Sequence, residues 1–181
     1  MVHDSGLITD ADYTRILDNA KQAAEFALGM VNDILDVRAG RLQAHPSPLD
    51  LVALLTKLRA LFSGQLTRYG IAWHMDKIEG DGKPSTDGTL LFRVLMNLLS
   101  NAVKFSRSGG RIELKARSAG DRLRMEIADQ GPGIPDAEKE KIFAKYYRVD
   151  GQKSGPVPGT GLGLAFCKLA CETLKGRIWV E

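Results

Sequence analysis

The sequence is short of cysteine, histidine and aromatic residues: its 181 residues include 2 Cys, 3 His and only 7% Phe, Trp and Tyr. Cys167 and Cys171 lie four apart in an apolar helical pattern. With no other thiol nearby they offer neither a disulfide framework nor a metal-ligand cluster, and they read as buried side chains. Charge of one sign is lacking too. The 25 Lys+Arg and 22 Asp+Glu leave a net charge of +3, scattered along the chain, which excludes a basic footprint for nucleic acid or a membrane surface. No apolar run approaches the roughly 20 residues of a membrane span, and Met1-Val2-His3-Asp4 has neither the basic region nor the apolar core of a signal peptide. The expectation is a cytoplasmic segment without membrane contact of its own, whatever anchor a full-length protein carries.

What is present, 44% hydrophobic and 26% charged residues, is ordinary for one compact domain with an extension. From Asp10 to Asp36 the apolar residues Leu17, Ala20, Ala24, Ala27, Val31 and Ile34 or Leu35 recur at spacings of three and four, predicting one long helix with an alanine-rich seam. Such a seam needs cover, from a partner helix or from the chain's own domain. Gly40 and the run from Gln43 to Pro48 end the helix, because two prolines remove donors and restrict their predecessors. The domain boundary is expected here, dividing 1–45 from 46–181.

Beyond it the pattern predicts a helix from about Pro48 to Arg68, a strand over Ile71 to Met75, and a helix from about Thr89 to Phe105. A hairpin of two strands, Arg111 to Ser118 and Arg122 to Asp129, turns at Ala119-Gly120-Asp121. A short helix to about Phe143, a polar connector from Arg148 to Pro158 with the composition of a lid, and a helix opened by Gly159 to Gly163 follow. Arg177 to Val180 reads as the start of a strand left incomplete. No internal repeat is seen. The fold class is α+β: a two-layer sandwich with helices on one face of a mixed, largely antiparallel sheet, preceded by one long helix.

Three segments carry candidate chemistry. On the helix near Thr89 to Phe105, Leu91, Val94, Leu95, Leu98 and Ala102 form the face expected to pack on the sheet, while Arg93, Asn97, Asn101 and Lys104 stack as one polar stripe. Asparagine is a poor interior helix residue, so two on one stripe suit a purpose that Glu or Lys on a solvated face would not serve. An amide oxygen can ligate Mg²⁺, and Lys104 can meet a phosphate. Asp129-Gln130-Gly131-Pro132-Gly133-Ile134-Pro135 follows a strand end; it is either a plain turn or a slot in which a fixed carboxylate accepts a hydrogen bond from an exocyclic amine. Gly159-Thr160-Gly161-Leu162-Gly163-Leu164 opens a helix whose N–H groups and dipole favour phosphate. It is not a dinucleotide fingerprint, since Leu164 stands where the third glycine belongs, and Gly82-Lys83-Pro84 is not a P-loop.

Together and in this order the segments resemble the ATP-binding fold shared by histidine kinases, DNA gyrase, the heat-shock chaperone and mismatch-repair ATPases, over about 50–181. Asn97 to Ser106 looks like the family's N box, 129–135 its first glycine box, and Gly159 to Leu164 its second. Ile142-Phe143-Ala144-Lys145-Tyr146-Tyr147-Arg148 resembles the F box of the histidine kinase branch. Gly176 to Glu181 and Ile34-Leu35-Asp36 are similar to that branch's ending and to the end of its dimerisation hairpin. The resemblance implies that 1–45 holds the second helix of that hairpin and a linker, and that 46–181 is the catalytic domain without its last strand. It implies Asn101, with Asn97 assisting, as Mg²⁺ ligand, Lys104 as a phosphate contact, and Phe105 packed on the base. Asp129 would bind the adenine amine, with Gly131, Gly133 and Ile134 beside it. Gly159, Thr160, Gly161, Leu162 and Gly163 would cover the phosphates, and Arg148 would steady the γ-phosphate.

Where hydrolysing relatives carry a glutamate this chain has Asn97, whose amide has no useful basicity, so phosphoryl transfer is expected over hydrolysis. The branch's acceptor histidine, followed by an acidic residue and an Arg-(Ser or Thr)-Pro segment, is not found. His3-Asp4 is followed by Ser5-Gly6-Leu7, and the roughly 30 residues to Asp36 hold one long helix rather than two. His45, in the linker, and His74, on a strand, read as ordinary residues. The implied cofactors are ATP and Mg²⁺. The implied partners are an acceptor-histidine dimerisation domain, a response regulator and, weakly, a second copy. The alternatives are a nucleotide-sensing or docking module that has lost transfer and, less favoured by the F box and long helix, an anti-sigma-factor kinase of the same fold.

Overall fold

The computed structural model describes residues 42–80, 83–120, 122–149 and 161–181, together with Gly29 and Leu35. The helix expected over 10–36 lies outside the described residues save for those two, both of which are helical. The element order is β1 (Ser47–Pro48), α1 (Leu51–Tyr69), β2 (Ala72–Met75), β3 (Ser85–Thr86), α2 (Gly88–Phe105), β4 (Arg111–Ala119), β5 (Arg122–Ala128) and α3 (Gly163–Thr173).

Local chemistry sets each helix end. The Asp50 carboxylate caps α1 by accepting from the Ala53 N–H, and Gly70, at φ +63°, closes it in a left-handed turn whose N–H meets the Leu66 and Thr67 carbonyls. Helix α1 therefore starts three residues later than the proline-based boundary suggests, because Asp50 supplies the cap. Strand β2 pairs parallel with β4, Ala72 against Arg111 through Met75 against Leu114, and β4 pairs antiparallel with β5 from Glu113 and Ala128 to Ala119 and Arg122. A parallel pair needs a crossover, and α2 lies within it. The small β1–β3 pair was not legible in the sequence, being two residues on each side.

Alternation on β4 buries Ile112, Leu114, Ala116 and Ser118 against the helical layer. Leu51, Leu55, Leu58 and Phe62 of α1 and Leu95, Leu99, Ala102 and Val103 of α2 complete this core, each buried leucine contributing about 1.5–3 kcal/mol. A second cluster joins Leu90 and Val94 of α2 to Phe166, Cys167 and Ala170 of α3, with Leu98 packed against it. The expected sheet face of α2 is corrected accordingly: Val94 and Leu98 turn to α3, while Leu99 and Val103 take their place on the sheet side. The cause is that α2 has two apolar neighbours rather than one. Cys167 is fully buried, its Sγ 3.7 Å from the Val94 carbonyl oxygen, and burial, then Glu172, push the Cys171 thiol up to about 11. Both are unreactive packing groups.

Two expected elements differ. The helix before Phe143 is two 3₁₀ turns, Asp136–Glu138 and Lys141–Phe143, with the ion pairs Asp136–Lys139 and Glu138–Lys141 at the i,i+3 spacing that such turns eclipse. The segment from Arg177 to Val180 joins no ladder among the described residues. It is held by side chains instead: Trp179 lies between the guanidinium groups of Arg177 and Arg124, 4.9 and 5.4 Å from its ring, and its Nε1 donates to Glu181.

Asp87 ties the linker to α2. One carboxylate oxygen caps the helix by accepting from the Thr89 and Leu90 N–H groups, and the other accepts from His45 N–H at 2.9 Å. Burial works to raise its pKa, but the hydrogen bonds from His45, Leu90 and Thr89 and the His45 charge outweigh it and hold the carboxyl below its ordinary value. Its contribution to stability is thus present above the ordinary carboxylate pKa of about 3.9 and lost as pH falls through the lowered value in the fold. Asp87→Asn keeps the acceptor and drops the charge, and is expected to flatten this acid limb. Asp87→Ala should lose about 1–2 kcal/mol at neutral pH. Denaturant melts at acid and neutral pH measure both.

Candidate functional site

The polar stripe of α2 runs between its two apolar faces. Asn97 is buried, 8% exposed, and its Nδ2 donates to the Arg93 carbonyl at 3.0 Å. The Arg93 guanidinium lies 4.5 Å from the ring of Phe166 on α3. Asn101, Lys104 and Phe105 are half-buried on the turns that follow, and the Lys104 ammonium sits 5.0 Å from the Phe105 ring.

At the C-terminal end of α2 the first glycine loop closes against the helix. Asp129 is exposed and its Oδ1 accepts from Gly131 N–H at 2.7 Å, so the carboxylate makes a local turn and keeps its second oxygen on the surface of the slot. The turn and slot readings of this loop are therefore compatible. A Cβ on Gly131 would stand 2.7 Å from that Oδ1 and 2.9 Å from the Phe105 carbonyl oxygen, so backbone and loop meet too closely for any side chain. Gly133 adopts φ +72°, which a side chain disfavours. Ile134 is half-buried beside it.

The second glycine box meets α2 from the other side. Gly159 and Thr160 lie outside the described residues, as does 150–158 of the connector. Gly161 and Gly163 are placed, and Leu162 is buried at the N-cap of α3 with no side-chain capping bond. Helices α1 and α2 are each capped by an aspartate, whereas α3 has at its N-cap Leu162, whose side chain cannot accept a hydrogen bond. A Cβ on Gly163 would stand 2.7 Å from Asn97 Oδ1.

Arg148 is half-buried and close enough to Lys104 to act on it: burial, and next the Arg148 charge, hold the Lys104 pKa below its ordinary value. Two cations thus converge beside the amide stripe. The F-box residues leading to Arg148 include one to which the sequence assigns no individual role. Tyr146 is exposed yet holds φ +64°, and its N–H donates to the Gly161 carbonyl at 2.9 Å. The hydroxyl of the next residue, Tyr147, donates to the Glu138 carboxylate. The F-box resemblance names both tyrosines without indicating either contact.

A cleft of about 630 Å³ between the linker and the start of α2, lined by Leu42, His45, Asp87, Thr89 and Arg93 among others, lies at the other end of the helix from Lys104 and Phe105. It holds none of the glycine-box residues. The expected site residues lie elsewhere, where Gly131 meets Phe105, Gly163 meets Asn97 and Arg148 approaches Lys104. Gly131→Ala is expected to force the first box away from Phe105 and to destabilise the domain by about 1–3 kcal/mol, the usual cost of overpacking, as read by thermal or denaturant melts.

Comparison with known proteins bears on the family and the fold. Residues 86–181 match the family model described as histidine kinase-, DNA gyrase B-, and HSP90-like ATPase. The chain is 36% identical over 155 residues to the aerobic respiration control sensor protein ArcB of Escherichia coli, the match covering 82% of this chain and 20% of that protein. It therefore spans about a fifth of the relative's length. Among solved structures, the catalytic domain of the histidine kinase ThkA superposes with a TM-score of 0.65 at 27% identity, over 75% of this chain and 86% of that one. Full-length ShkA in complex with AMPPNP superposes with a TM-score of 0.71 at 27% identity, over 97% of this chain and 37% of that one. The chain belongs to the histidine kinase-, DNA gyrase B- and HSP90-like ATPases, and within them it carries the ATP-binding catalytic domain of a sensor histidine kinase.

Proposed function

We propose that this chain positions ATP for transfer of its γ-phosphoryl group to a histidine on a separate dimerisation helix, and that a response regulator receives the group in turn. The observation that carries this reading is the approach of Arg148 to Lys104, whose pKa is held low by burial and then by the Arg148 charge, on a segment joined to the start of α3 by the Tyr146–Gly161 hydrogen bond. Two cations brought together in this way suit a polyanion such as a polyphosphate. The AMPPNP bound by ShkA supports an adenine nucleotide as that anion. Asp129 then accepts from the adenine amine through its outer oxygen, Gly131, Gly133 and Ile134 shape the slot, and Phe105 packs on the base. Gly159, Thr160, Gly161, Leu162 and Gly163 lie along the phosphates.

Mg²⁺ fits the donor set. Among the described residues no group of three His, Cys, Asp or Glu could cage a metal, whereas the stripe offers the amide oxygens of Asn101 and Asn97. Mg²⁺ commonly takes one or two protein ligands and completes its shell with phosphates and water. When bound it neutralises phosphate charge. Asn101 would hold it, with Asn97 assisting. Arg148 steadies the γ-phosphate as the bond to the ADP oxygen breaks and the bond to the imidazole nitrogen forms. Asn97 cannot take a proton from water, so hydrolysis stays slow. The segment is read as cytoplasmic, with a dimerisation domain and a response regulator as its partners and weak pairing with a second copy through 10–36. Nothing in the charge pattern supports nucleic acid.

Calorimetry is expected to show Mg²⁺-dependent binding of ATP in preference to GTP; equal affinity for the two would refute the assignment of Asp129. Asp129→Asn should weaken ATP binding by about 1.5–3 kcal/mol, roughly tenfold to a hundredfold, without lowering the melting temperature. With labelled ATP and an acceptor-histidine domain supplied in trans, transfer should appear. Arg148→Ala should reduce that transfer far more than it reduces ATP affinity, and a parallel loss of both would count against a role in the transfer step.

A further inference from the structure

The two described glycines of the second box are closely approached by other parts of the protein. A Cβ on Gly163 would meet Asn97 Oδ1 at 2.7 Å, and one on Gly161 would meet the Tyr146 Cα and carbonyl carbon at 2.8 Å and the Tyr147 carbonyl oxygen at 3.0 Å. Both neighbours are protein. Gly161 also holds φ +68°, and its carbonyl accepts from Tyr146 N–H. The box is therefore pressed between the α2 stripe on one side and the backbone leading to Arg148 on the other.

The Asn97 amide cannot swing away cheaply. It is 8% exposed, and its Nδ2 is committed to the Arg93 carbonyl, while Arg93 itself lies on the Phe166 ring of α3. Rotating the amide to admit a methyl group would break that bond inside a packed helix interface. Tyr146 has even less freedom, since backbone atoms cannot rotate clear.

We propose that Asn97 is the positioning residue of the second glycine box: its amide is the seat on which Gly163 rests, as the Tyr146 backbone is the seat for Gly161. The start of α3 is thereby held at a fixed distance from Lys104 and Arg148. This deepens the ATP-transfer reading and rests on it only for its consequence; the contact itself is independent of ligand.

A double-mutant cycle of Gly163→Ala and Asn97→Ala tests it, with melting temperature read without nucleotide and affinity read for AMPPNP and for adenosine. Gly163→Ala alone is expected to lower the melting temperature and to cut AMPPNP affinity at least tenfold, leaving adenosine within threefold. A purely structural defect would weaken both ligands alike. In the Asn97→Ala background the added Gly163→Ala should cost little in either readout, because the space is then free. Equal cost of Gly163→Ala in both backgrounds overturns the proposal. Should Gly163→Ala fail to fold, recovery of a folded double variant supports the seat and a double variant that also fails overturns it. If no form binds AMPPNP, the ATP reading fails while the melting cycle still decides the contact.

Discussion

The structure depends on α2 being covered along two apolar faces. Leu95, Leu99, Ala102 and Val103 meet the sheet and α1, Leu90 and Val94 meet α3, and the strip between them is left to Asn97, Asn101 and Lys104. A helix packed on one side only would expose such a stripe to solvent, where amides have no advantage over Glu or Lys. Packed on two sides, the stripe lies between the two apolar faces and is met by the glycine loops, Gly131 at Phe105 and Gly163 at Asn97. Site and fold are then one arrangement: the side chains that bury α2 also set the angle at which Asn101 and Lys104 are presented.

Helix capping follows the same division. Aspartates close the starts of α1 and α2, and Asp87 also holds the linker through His45. These ends are finished structurally and have no further use for an anion. The start of α3 carries Leu162 and two glycines, groups without charge or length. A carboxylate cap there would stabilise the helix by an amount comparable to Asp87, yet it would occupy the N–H groups and repel phosphate. Its replacement by packing, on Asn97 and on the Tyr146 backbone, keeps the helix start fixed without filling it.

How much of this was legible in the sequence depends on the range of the interaction. The α2 stripe, the β4–β5 hairpin and the glycine loops are short-range patterns, and residues three, four or two apart declared them. The parallel pairing of β2 with β4, the β1–β3 pair and the turning of Val94 and Leu98 toward α3 depend on segments distant in sequence, for which local periodicity carries no information. Residues 177–180 were misleading because Ile178-Trp179-Val180 has strand composition while Trp179 is anchored by two arginines. Tyr146 falls within the F box, yet its backbone role was not legible, since nothing in a tyrosine announces a positive φ or a bond to Gly161, fifteen positions on. The reason for Gly163 was hidden in the same way, by Asn97 on another helix.

The choice of an amide at Asn97 has two physical consequences that point the same way. An amide offers a water molecule no base, which disfavours hydrolysis. It also adds no charge beside Lys104 and Arg148. A carboxylate pressed against the start of α3 would draw those cations toward itself and repel the incoming phosphates, so the attraction that binding needs would already be partly satisfied within the protein. Neutral packing avoids that competition. Burial, and next the Arg148 charge, lower the Lys104 pKa, and the contacts described around this part of the fold are uncharged: the Asn97 amide bonded to the Arg93 carbonyl, the bare face of Gly163, and the Tyr146 N–H on the Gly161 carbonyl. On the proposed reading, a triphosphate entering such a site would meet positive charge that the fold has already brought together, with no reorganisation left to the ligand.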